Sequence, residues 1–132
     1  MLAEFLPDYF ESMRKYDNTL WGYQDHTFVE HHKDWLERYW GQKDNDHRIS
    51  LFSNRSDIEG MLKHRVKNRE IRVFAKDFQL SSTLWISGDY ITLIMTRQLP
   101  HYAFQLYDIL FAENLRRVFQ AFWQLSDHTS MG

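Results

Sequence analysis

The sequence predicts a mixed α/β fold, in which helices pack on a sheet that is parallel at one side and antiparallel at the other. In the first half of the chain, strand-like segments alternate with helical segments, as parallel strands with helical crossovers require. Residues 83–107 then contain three strand-like segments in succession, which favours antiparallel pairing. An amphipathic segment near the C-terminus supplies a long helix that can cover this sheet. The predicted order of elements is α-β-α-β-α-β-β-β-β-α.

Composition restricts the class of protein. The chain has 132 residues, which suits a single domain with a sizeable core, and 17 % of its residues are aromatic. Its formal net charge is −2, so a general polyanion-binding protein is not expected. The absence of Cys excludes disulfides and thiolate chemistry and favours a reducing, cytoplasmic location. No apolar run approaches the length of a membrane span, so we expect no membrane contact.

The first elements are predicted to be a helix, a short strand and a second helix. Apolar residues recur at three- and four-residue spacing over residues 3–16, which predicts the first helix. Residues 20–23 read as a short aromatic strand. The second helix is expected to start at Thr27, because Thr27 and Glu30 have the spacing of a capping box, and to stop at Gly41.

Two strands and a third helix precede the antiparallel part of the sheet. Residues 47–53 and 71–75 combine β-branched and aromatic residues, as strands do. Between them, Ser56 and Glu59 form another capping-box pair, which predicts a helix over about residues 56–68.

A β-hairpin and one more strand follow. Residues 83–87 and 90–96 are β-rich, and Gly88 and Asp89 separate them. A glycine at the first central position suits a primed two-residue turn, because glycine adopts a positive φ without steric cost. Residues 102–107 alternate in the strand pattern and are expected to add a third antiparallel strand.

The closing helix is predicted to be the main packing element. Its apolar residues fall on one stripe, which consists of Phe111, Leu115, Val118, Phe119, Phe122 and Leu125. We expect this stripe to be buried against one face of the sheet and Arg116 to lie on the opposite side of the helix. The residues expected on that sheet face are Ile91, Leu93, Phe104 and Leu106.

Several segments, taken in order, resemble a known family. They are Trp21-Gly22-Tyr23, residues 49–52 (ISLF), Ile71-Arg72-Val73, residues 87–91 (SGDYI), residues 105–108 (QLYD), residues 112–119 (AENLRRVF) and Phe122-Trp123. Over roughly residues 19–125 the chain resembles the C-terminal effector domain of TrmB-type transcriptional regulators.

The resemblance implies a phospholipase-D-like sensor domain and expected domain boundaries. Residues 1–18 would be a linker and dimerisation helix, residues 19–126 a single effector domain, and residues 127–132 a tail. Family members bind DNA through an N-terminal winged helix-turn-helix, and nothing before residue 19 resembles one. The implied protein is a homodimeric, cytoplasmic regulatory domain, which would contact DNA only through a winged helix-turn-helix not present in this chain.

The resemblance also bears on catalysis. Phospholipase-D enzymes use a His-x-Lys pair followed by an Asp in such a hairpin, with the His as nucleophile and the Lys holding phosphate charge. If Asp89 is placed on that Asp, the other two positions hold Ser82 and Leu84. A serine without a base and a leucine cannot perform this phosphoryl transfer. We therefore predict no enzymatic activity and no cofactor.

A small-molecule site is predicted at the strand ends. Asp25, Arg55 and Ser82 lie at strand ends or in loops, where ligands of α/β sheets usually bind. Trp85 alternates away from its two neighbours on the hairpin and is expected to face a cleft, where its ring could stack on a sugar. Some members of the family bind sugars, so the expected ligand is a sugar or an anion.

The basic segment near residue 66 is a second candidate site. Lys63, Arg65 and Arg69 belong to a run of cations at the predicted end of the third helix. Cations stabilise a helix C-terminus, so a solvated helix end is the simpler interpretation. The alternative is an anion-binding site, whereas nucleic acid usually needs a broader basic surface.

Histidines near residue 30 raise the question of a metal site. His31 and His32 point about 100° apart on a helix, and His26 precedes the predicted cap, so the three do not share a face. His32 lies on the apolar stripe with Phe28 and Trp35, as a hydrogen-bonded core histidine would. We predict no metal site.

Two functions remain open from the sequence. The first is a non-catalytic regulatory domain that senses a small ligand and dimerises. The second is a protein–protein interaction module built on a catalytically inactive phospholipase-D-like scaffold. A ligand pocket at the strand ends favours the first, and a large exposed apolar surface favours the second.

Overall fold

A computed structural model describes residues 12–32, 34, 48–53, 69–73 and 80–126 of the chain. Its elements, in order, are β1 (Thr19–Gln24), α1 (His26–His31), β2 (Arg48–Ser53), β3 (Arg69–Val73), β4 (Thr83–Ser87), β5 (Tyr90–Met95), β6 (Tyr102–Tyr107) and α2 (Ile109–Ser126). Three predicted segments lie outside the described residues. They are most of the first helix, the second helix beyond residue 34, and the helix over residues 56–68.

The strands form one six-stranded mixed sheet in the order β3-β2-β1-β4-β5-β6. Strands β1, β2 and β3 pair in parallel, whereas β4, β5 and β6 add to β1 in antiparallel fashion. The predicted fold class, a mixed α/β fold with parallel strands at one side and antiparallel strands at the other, is confirmed. Among the described residues, no helix is long and apolar enough to cross a membrane.

The hairpin turn has the predicted geometry. Gly88 has φ +62°, while Asp89 keeps a negative φ, as a primed turn with glycine at its first central position requires. A Cβ on Gly88 would also lie 2.3 Å from the hydroxyl oxygen of Ser12. The turn therefore needs glycine both for its backbone angle and for the close approach of the N-terminal segment.

A second glycine is required in the middle of the sheet. Gly22 in β1 has φ +142°, and a Cβ there would lie 1.9 Å from the carbonyl oxygen of Leu84 in the neighbouring β4. No side chain fits at that distance, so Gly22 allows β1 and β4 to pair at this point.

One face of the sheet packs against α2. Its buried core is formed by Trp21, Phe52, Ile86 and Ile91 of the sheet with Ala112 and Phe119 of α2, bordered by Tyr23, Leu84, Leu115 and Trp123. Trp123 meets the Phe52 ring edge-on with centroids 5.2 Å apart, and Phe119 lies 6.1 Å from Tyr23. The predicted contact between the last helix and the sheet at Ile91 is thus confirmed.

The rotation of α2 differs from the prediction. Phe119 is buried and Leu115 borders the core, but the other predicted stripe residues are exposed: Phe111, Val118, Phe122 and Leu125. Phe104 and Leu106 of β6, expected beneath the helix, are also exposed, because α2 crosses β1, β4 and β5. The prediction for these six residues was wrong.

The buried contacts of Arg116 explain why α2 is rotated from its predicted orientation. It was expected on the solvent side, yet it is only 5 % exposed. Its Nη1 donates to the carbonyl oxygen of Gly88 at 2.7 Å, and its guanidinium lies 3.8 Å from the centre of the Tyr16 ring. A buried cation with a hydrogen-bond acceptor and an aromatic ring is tolerated, whereas an unpaired one is not.

The start of α1 also differs from the prediction. The N-cap is Asp25, whose carboxylate accepts a hydrogen bond from the Thr27 backbone N–H, and His26 is the first helical residue. The predicted capping box of Thr27 and Glu30 was therefore wrong by two residues. Asp is the better cap here because its carboxylate accepts from N–H groups that are otherwise unpaired in the first turn.

The opposite face of the sheet holds the most completely buried side chains. They include Leu20, Ile49, Leu51, Trp85 and Ile94, with Phe28 of α1. The Phe28 ring meets Trp85 edge-on at 5.3 Å between centroids.

Residues 12–18 pack on the domain. The Ser12 hydroxyl accepts the backbone N–H of Asp89 at 2.9 Å, and the Tyr16 hydroxyl donates to the Asp89 carboxylate. The Trp21 indole N–H donates to Asp17 at 2.9 Å. The segment expected to be a linker therefore contacts the hairpin turn and β1 in its last seven residues.

Candidate functional site at the strand ends

Polar side chains meet where β1 and β5 end and β4 begins. This group, the strand-end site, comprises Tyr23, Asp25, Thr27, Ser82, Thr96 and Arg97. The antiparallel pairing of β4 with both β1 and β5 brings these chain segments together at one end of the sheet. Such positions are the usual place for ligands in α/β sheets, because strand ends present backbone and side-chain polar groups together.

Asp25 and Arg97 form the centre of the strand-end site. Arg97 Nε lies 2.7 Å from Asp25 Oδ2 and Arg97 Nη2 lies 2.9 Å from Oδ1, so the pair is bidentate. Asp25 is fully buried, while the Arg97 side chain is 34 % exposed. The bidentate geometry fixes the plane of the guanidinium as well as its position.

Hydroxyl groups also contact Asp25. The Thr27 hydroxyl donates to Asp25 Oδ2 at 2.8 Å and lies 2.7 Å from the Thr96 hydroxyl. The Asp25 backbone N–H donates to the Thr83 hydroxyl at 3.0 Å. These contacts tie the start of α1 to β4 and to the end of β5.

The environment keeps Asp25 ionised. Burial by itself raises the pKa of the Asp25 carboxyl, but hydrogen bonds from Arg97 and Thr27 outweigh it and hold the pKa below its ordinary value. The same carboxylate raises the pKa of Arg97, against the opposing effect of desolvation. Asp25 is consequently a fixed negative charge that orients Arg97, not a group poised to take up a proton at neutral pH.

Arg97 retains a donor that Asp25 does not use. Nε and Nη2 bind Asp25, and Nη2 also donates to the Leu80 carbonyl oxygen at 3.3 Å. Within the part of the chain that the structure describes, Nη1 has no hydrogen-bond partner. At the start of β4, the hydroxyl groups of Tyr23 and Ser82 lie 3.3 Å apart. The arrangement can donate to a carbonyl, hydroxyl or anionic oxygen of a ligand while the net charge of the Asp–Arg pair stays zero.

The structure brings together some of the residues predicted from the sequence. Asp25 and Ser82 lie at the same end of the sheet, as expected. Arg55 lies outside the described residues. Trp85 is only 2 % exposed, and its indole N–H donates to Gln24 Oε1 at 3.2 Å, so it belongs to the core. The prediction that it faces a cleft was wrong, because β4 turns this side chain toward Phe28.

Sequence reasoning missed Tyr23, Thr27, Thr96 and Arg97 as parts of the site. A signal for Thr27 exists in hindsight, since Asp25-x-Thr27 directly after a strand is the pattern of an N-cap. Arg97 lies two residues after the end of the apolar strand β5, as Asp25 lies directly after β1. Their pairing could not be read from the sequence, because it depends on β1 and β5 ending at the same edge with β4 between them.

The three positions compared with phospholipase-D enzymes do not converge. Ser82 precedes β4 and Asp89 follows it, so the length of a five-residue strand separates them. Leu84 packs against the apolar core under α2. Asp89 is buried at the hairpin turn, where Tyr16 and Ser12 occupy its carboxylate and its backbone N–H.

Three histidines lie together where α1 ends and where the segment before β6 passes it. The rings of His31 and His101 are 4.9 Å apart, and those of His32 and His101 are 6.0 Å apart. Burial, followed by the neighbouring His101 and His31, lowers the pKa of His32. Among the described residues, no three His, Asp or Glu side chains are arranged to hold a metal ion.

The predicted basic site is only partly described. Lys63 and Arg65 lie outside the described residues, and Arg69 is the first residue of β3. Arg72 of the same run is engaged within the fold: it lies 2.8 Å from Glu70, and its guanidinium is 3.9 Å from the centre of the Trp123 ring.

Comparison with known proteins gives the chain no family assignment. No protein-family model matches the sequence, and no curated protein matches it.

Proposed function

We propose that this chain is a non-catalytic regulatory domain, related to the effector domains of TrmB-type regulators, that binds a small hydroxylated or anionic ligand at the strand-end site. The observation that carries the proposal is the partly exposed guanidinium of Arg97, which the buried Asp25 holds in a fixed orientation while leaving Nη1 unused. A guanidinium that is already neutralised and oriented binds oxygen acceptors at a low entropic cost.

The chemistry of the site favours a sugar or a sugar phosphate. The Arg97 guanidinium and the hydroxyl groups of the site provide both donors and acceptors, which suits a ligand that carries hydroxyl groups. Because the Asp25–Arg97 pair has no net charge, a neutral sugar is not disfavoured. A phosphate would gain a charge-assisted hydrogen bond from Nη1.

The absence of catalysis is part of the proposal. A general base must change its protonation state near the working pH, whereas the pKa of Asp25 is held low by Arg97 and Thr27. Among the described residues, the hydrogen-bond neighbour of the Ser82 hydroxyl is the Tyr23 hydroxyl. The mixed sheet with its hairpin and covering helix supports a phospholipase-D-like scaffold without the residues of that chemistry. In a longer regulator, such a domain would dimerise and affect DNA through a separate winged helix-turn-helix.

The test is a binding experiment on the full chain by NMR. Glucose, lactose and glucose 6-phosphate serve as probes, and we expect at least one to shift the amide signals of Ser82, Thr96 and Arg97. Ser82→Ala should weaken that binding about 2- to 10-fold, the value of one hydrogen bond.

Ser81→Ala is the matched control, because Ser81 is the exposed neighbour of Ser82 and should not affect binding. The proposed ligand class is wrong if none of the three probes shifts these signals at millimolar concentration. Hydrolysis of a simple phosphodiester that Ser82→Ala abolishes would contradict the non-catalytic part.

A protein–protein interaction module is the second candidate function. Large apolar side chains on β6 and α2 are exposed, among them Phe104 and Phe122. Exposed apolar area of this kind is characteristic of interaction surfaces. The NMR experiment separates the two functions, since an interaction module would leave the strand-end signals unchanged with all three probes.

A further inference from the structure

Three buried polar atoms on neighbouring strands have no partner among the described residues. They are Ser87 Oγ on β4, Thr92 Oγ1 on β5 and Gln105 Nε2 on β6, and the three residues are called the polar triplet. Ser87 and Thr92 are fully buried, whereas Gln105 is partly buried. A buried polar group without a hydrogen bond is destabilising, so three of them on adjacent strands indicate a site that a ligand completes.

The polar triplet points to a single face of the sheet. Side chains alternate along a strand, and Ile91 packs under α2, so its neighbour Thr92 points to the opposite face. Gln105 is the cross-strand partner of Thr92 and therefore shares that face. In β4, Ile86 packs under α2, so Ser87 also points away from that helix.

The spacing within the polar triplet suits a ligand with two polar groups. Thr92 and Gln105 are directly opposite each other, with Cβ atoms about 5 Å apart, so one oxygen atom can contact both. Ser87 is paired with Tyr90, two residues before Thr92, and such diagonal neighbours are about 7–8 Å apart. A second polar group on the same ligand is therefore placed to reach Ser87.

The charge and hydrogen-bonding capacity of this face restrict the ligand. Gln105 Nε2 can only donate, whereas the two hydroxyl groups can donate and accept, so the ligand must offer at least one acceptor. Of the residues that β4, β5 and β6 present to this face, none is charged. A buried charge without a counter-charge is strongly disfavoured, so the ligand that fits is uncharged.

Aromatic rings border the polar triplet. Trp85 is the cross-strand partner of Thr92 on the side away from β6. The rings of Tyr90 and Tyr107 are 4.9 Å apart, and Tyr90 is the cross-strand partner of Ser87. Aromatic side chains pack favourably on other rings, so a ring compound suits these surroundings. Tyr107 is 54 % exposed, which gives this group of rings an edge at the solvent.

We propose that the polar triplet is a second binding site of this domain, for a small uncharged ring compound that carries two polar groups. Thr92 and Gln105 bind one polar group, which is an acceptor, and Ser87 binds the other. The site is separate from the strand-end site, because Ser82 precedes β4 and Ser87 ends it, roughly 16 Å further along an extended strand.

The test is an NMR titration of the full chain with resorcinol and with uracil, two uncharged rings that each carry two oxygen atoms, up to about 10 mM. We expect at least one probe to shift the amide signals of Ser87, Thr92 and Gln105 and to leave that of Arg97 unchanged. Thr92→Val, which removes the hydroxyl at nearly constant shape, should weaken the binding at least about fivefold.

The stability of the free chain provides a second measurement. Thr92→Val removes a buried polar atom without a partner, so it should raise the melting temperature by about 3 °C or more. Thr19→Val in β1 is the matched control, because the Thr19 hydroxyl is buried but donates to the Asp17 carbonyl oxygen at 3.1 Å. This control should lower the melting temperature and leave probe binding unchanged.

Three results would overturn the proposal: no shift of the triplet signals with either probe, unchanged probe binding by Thr92→Val, or a lower melting temperature of Thr92→Val. The last would mean that an ordered water or another group already satisfies the hydroxyl. Ser87→Ala replaces Thr92→Val in both measurements if the latter does not fold. Failure here leaves the proposed function untouched, because the strand-end site is followed through different amide signals and different probes.

Discussion

Arg116 is a cation that this fold uses as a packing residue. It lies between α2, the hairpin turn and the N-terminal segment, with the Gly88 carbonyl oxygen and the Tyr16 ring as partners. The hydrogen bond from the Tyr16 hydroxyl to the Asp89 carboxylate raises the pKa of Tyr16, with burial and the Asp89 charge acting in the same direction. Three segments distant in sequence are thus connected through one side chain.

At the residue scale we predict that Arg116→Ala destabilises the domain. The substitution leaves the Gly88 carbonyl oxygen without its donor and removes the cation from the Tyr16 ring. A lost hydrogen bond to a charged group costs about 1.5–3 kcal/mol, and a lost cation–π contact adds about 0.5–1 kcal/mol. Urea denaturation should therefore show a free energy of unfolding lower by about 2–4 kcal/mol.

Arg117→Ala is the control for that experiment. Arg117 follows Arg116 directly, is exposed, and pairs with Glu113 one turn earlier, at 2.7 Å. An exposed pair of this kind contributes at most about 0.5 kcal/mol. Equal losses in the two variants would mean that the buried contacts of Arg116 contribute no more to stability than the contacts of an exposed arginine on the same helix.

At the scale of the element, α2 has an apolar stripe that is wider than its contact with the sheet. The helix begins after Asp108, whose carboxylate accepts the backbone N–H of Phe111 at 2.9 Å and whose own N–H donates to the Asp89 carbonyl oxygen at 3.1 Å. This anchor at the hairpin turn, together with Arg116, sets which part of the stripe meets the sheet.

Phe119→Ala should lower the free energy of unfolding far more than Phe111→Ala. Phe119 is 8 % exposed and packs against Tyr23 and Phe52, whereas Phe111 is 46 % exposed. Truncation of a buried Phe costs about 3–5 kcal/mol, and we expect about 1 kcal/mol for the half-exposed one. Denaturant midpoints of the two variants at low protein concentration provide the comparison.

Both changes remove a Phe from the same helix, so helix propensity is matched. A larger loss at Phe111 than at Phe119 would show that α2 packs on the sheet with the rotation expected from its sequence. Measurement at several protein concentrations separates a contribution of Phe111 to dimerisation from its contribution to the fold.

The rotation of α2 about its axis could not be predicted from the sequence. Periodicity located the helix and its stripe, and the glycine turn and the alternating strands gave the mixed sheet. The sequence pattern treats Arg116 as polar and therefore exposed, since it cannot show that Gly88 and Tyr16 lie within reach. The strand-end site follows the same rule: Asp25 and Ser82 were found by their position at strand ends, but Arg97 was identified only from the order of strands in the sheet.

On the scale of the whole molecule, α1 and the segment before β6 meet through histidines. His32 caps the end of α1 and stacks on Phe28 at 5.2 Å between ring centroids. His101 stands beside both His31 and His32. Protonation of His32 would place a positive charge in a half-buried position next to two other imidazoles, which the fold disfavours.

The last prediction is a loss of stability in mildly acidic solution that depends on His32. Because the pKa of folded His32 lies below its ordinary value of 6.5, the unfolded chain takes up this proton at a higher pH than the folded chain does. The contribution of His32 to stability is therefore complete above pH 6.5 and declines as the pH falls below it. We expect the melting temperature of the wild type to drop between pH 7.5 and 5.5, a range that avoids most carboxylate titration.

His32→Gln, which cannot take up a proton, should show a smaller drop in melting temperature over this pH range. His31→Gln, which removes an exposed histidine of the same cluster, should retain most of it. A wild type and a His32→Gln variant with the same pH dependence would show that the neutral state of His32 is not favoured by the fold.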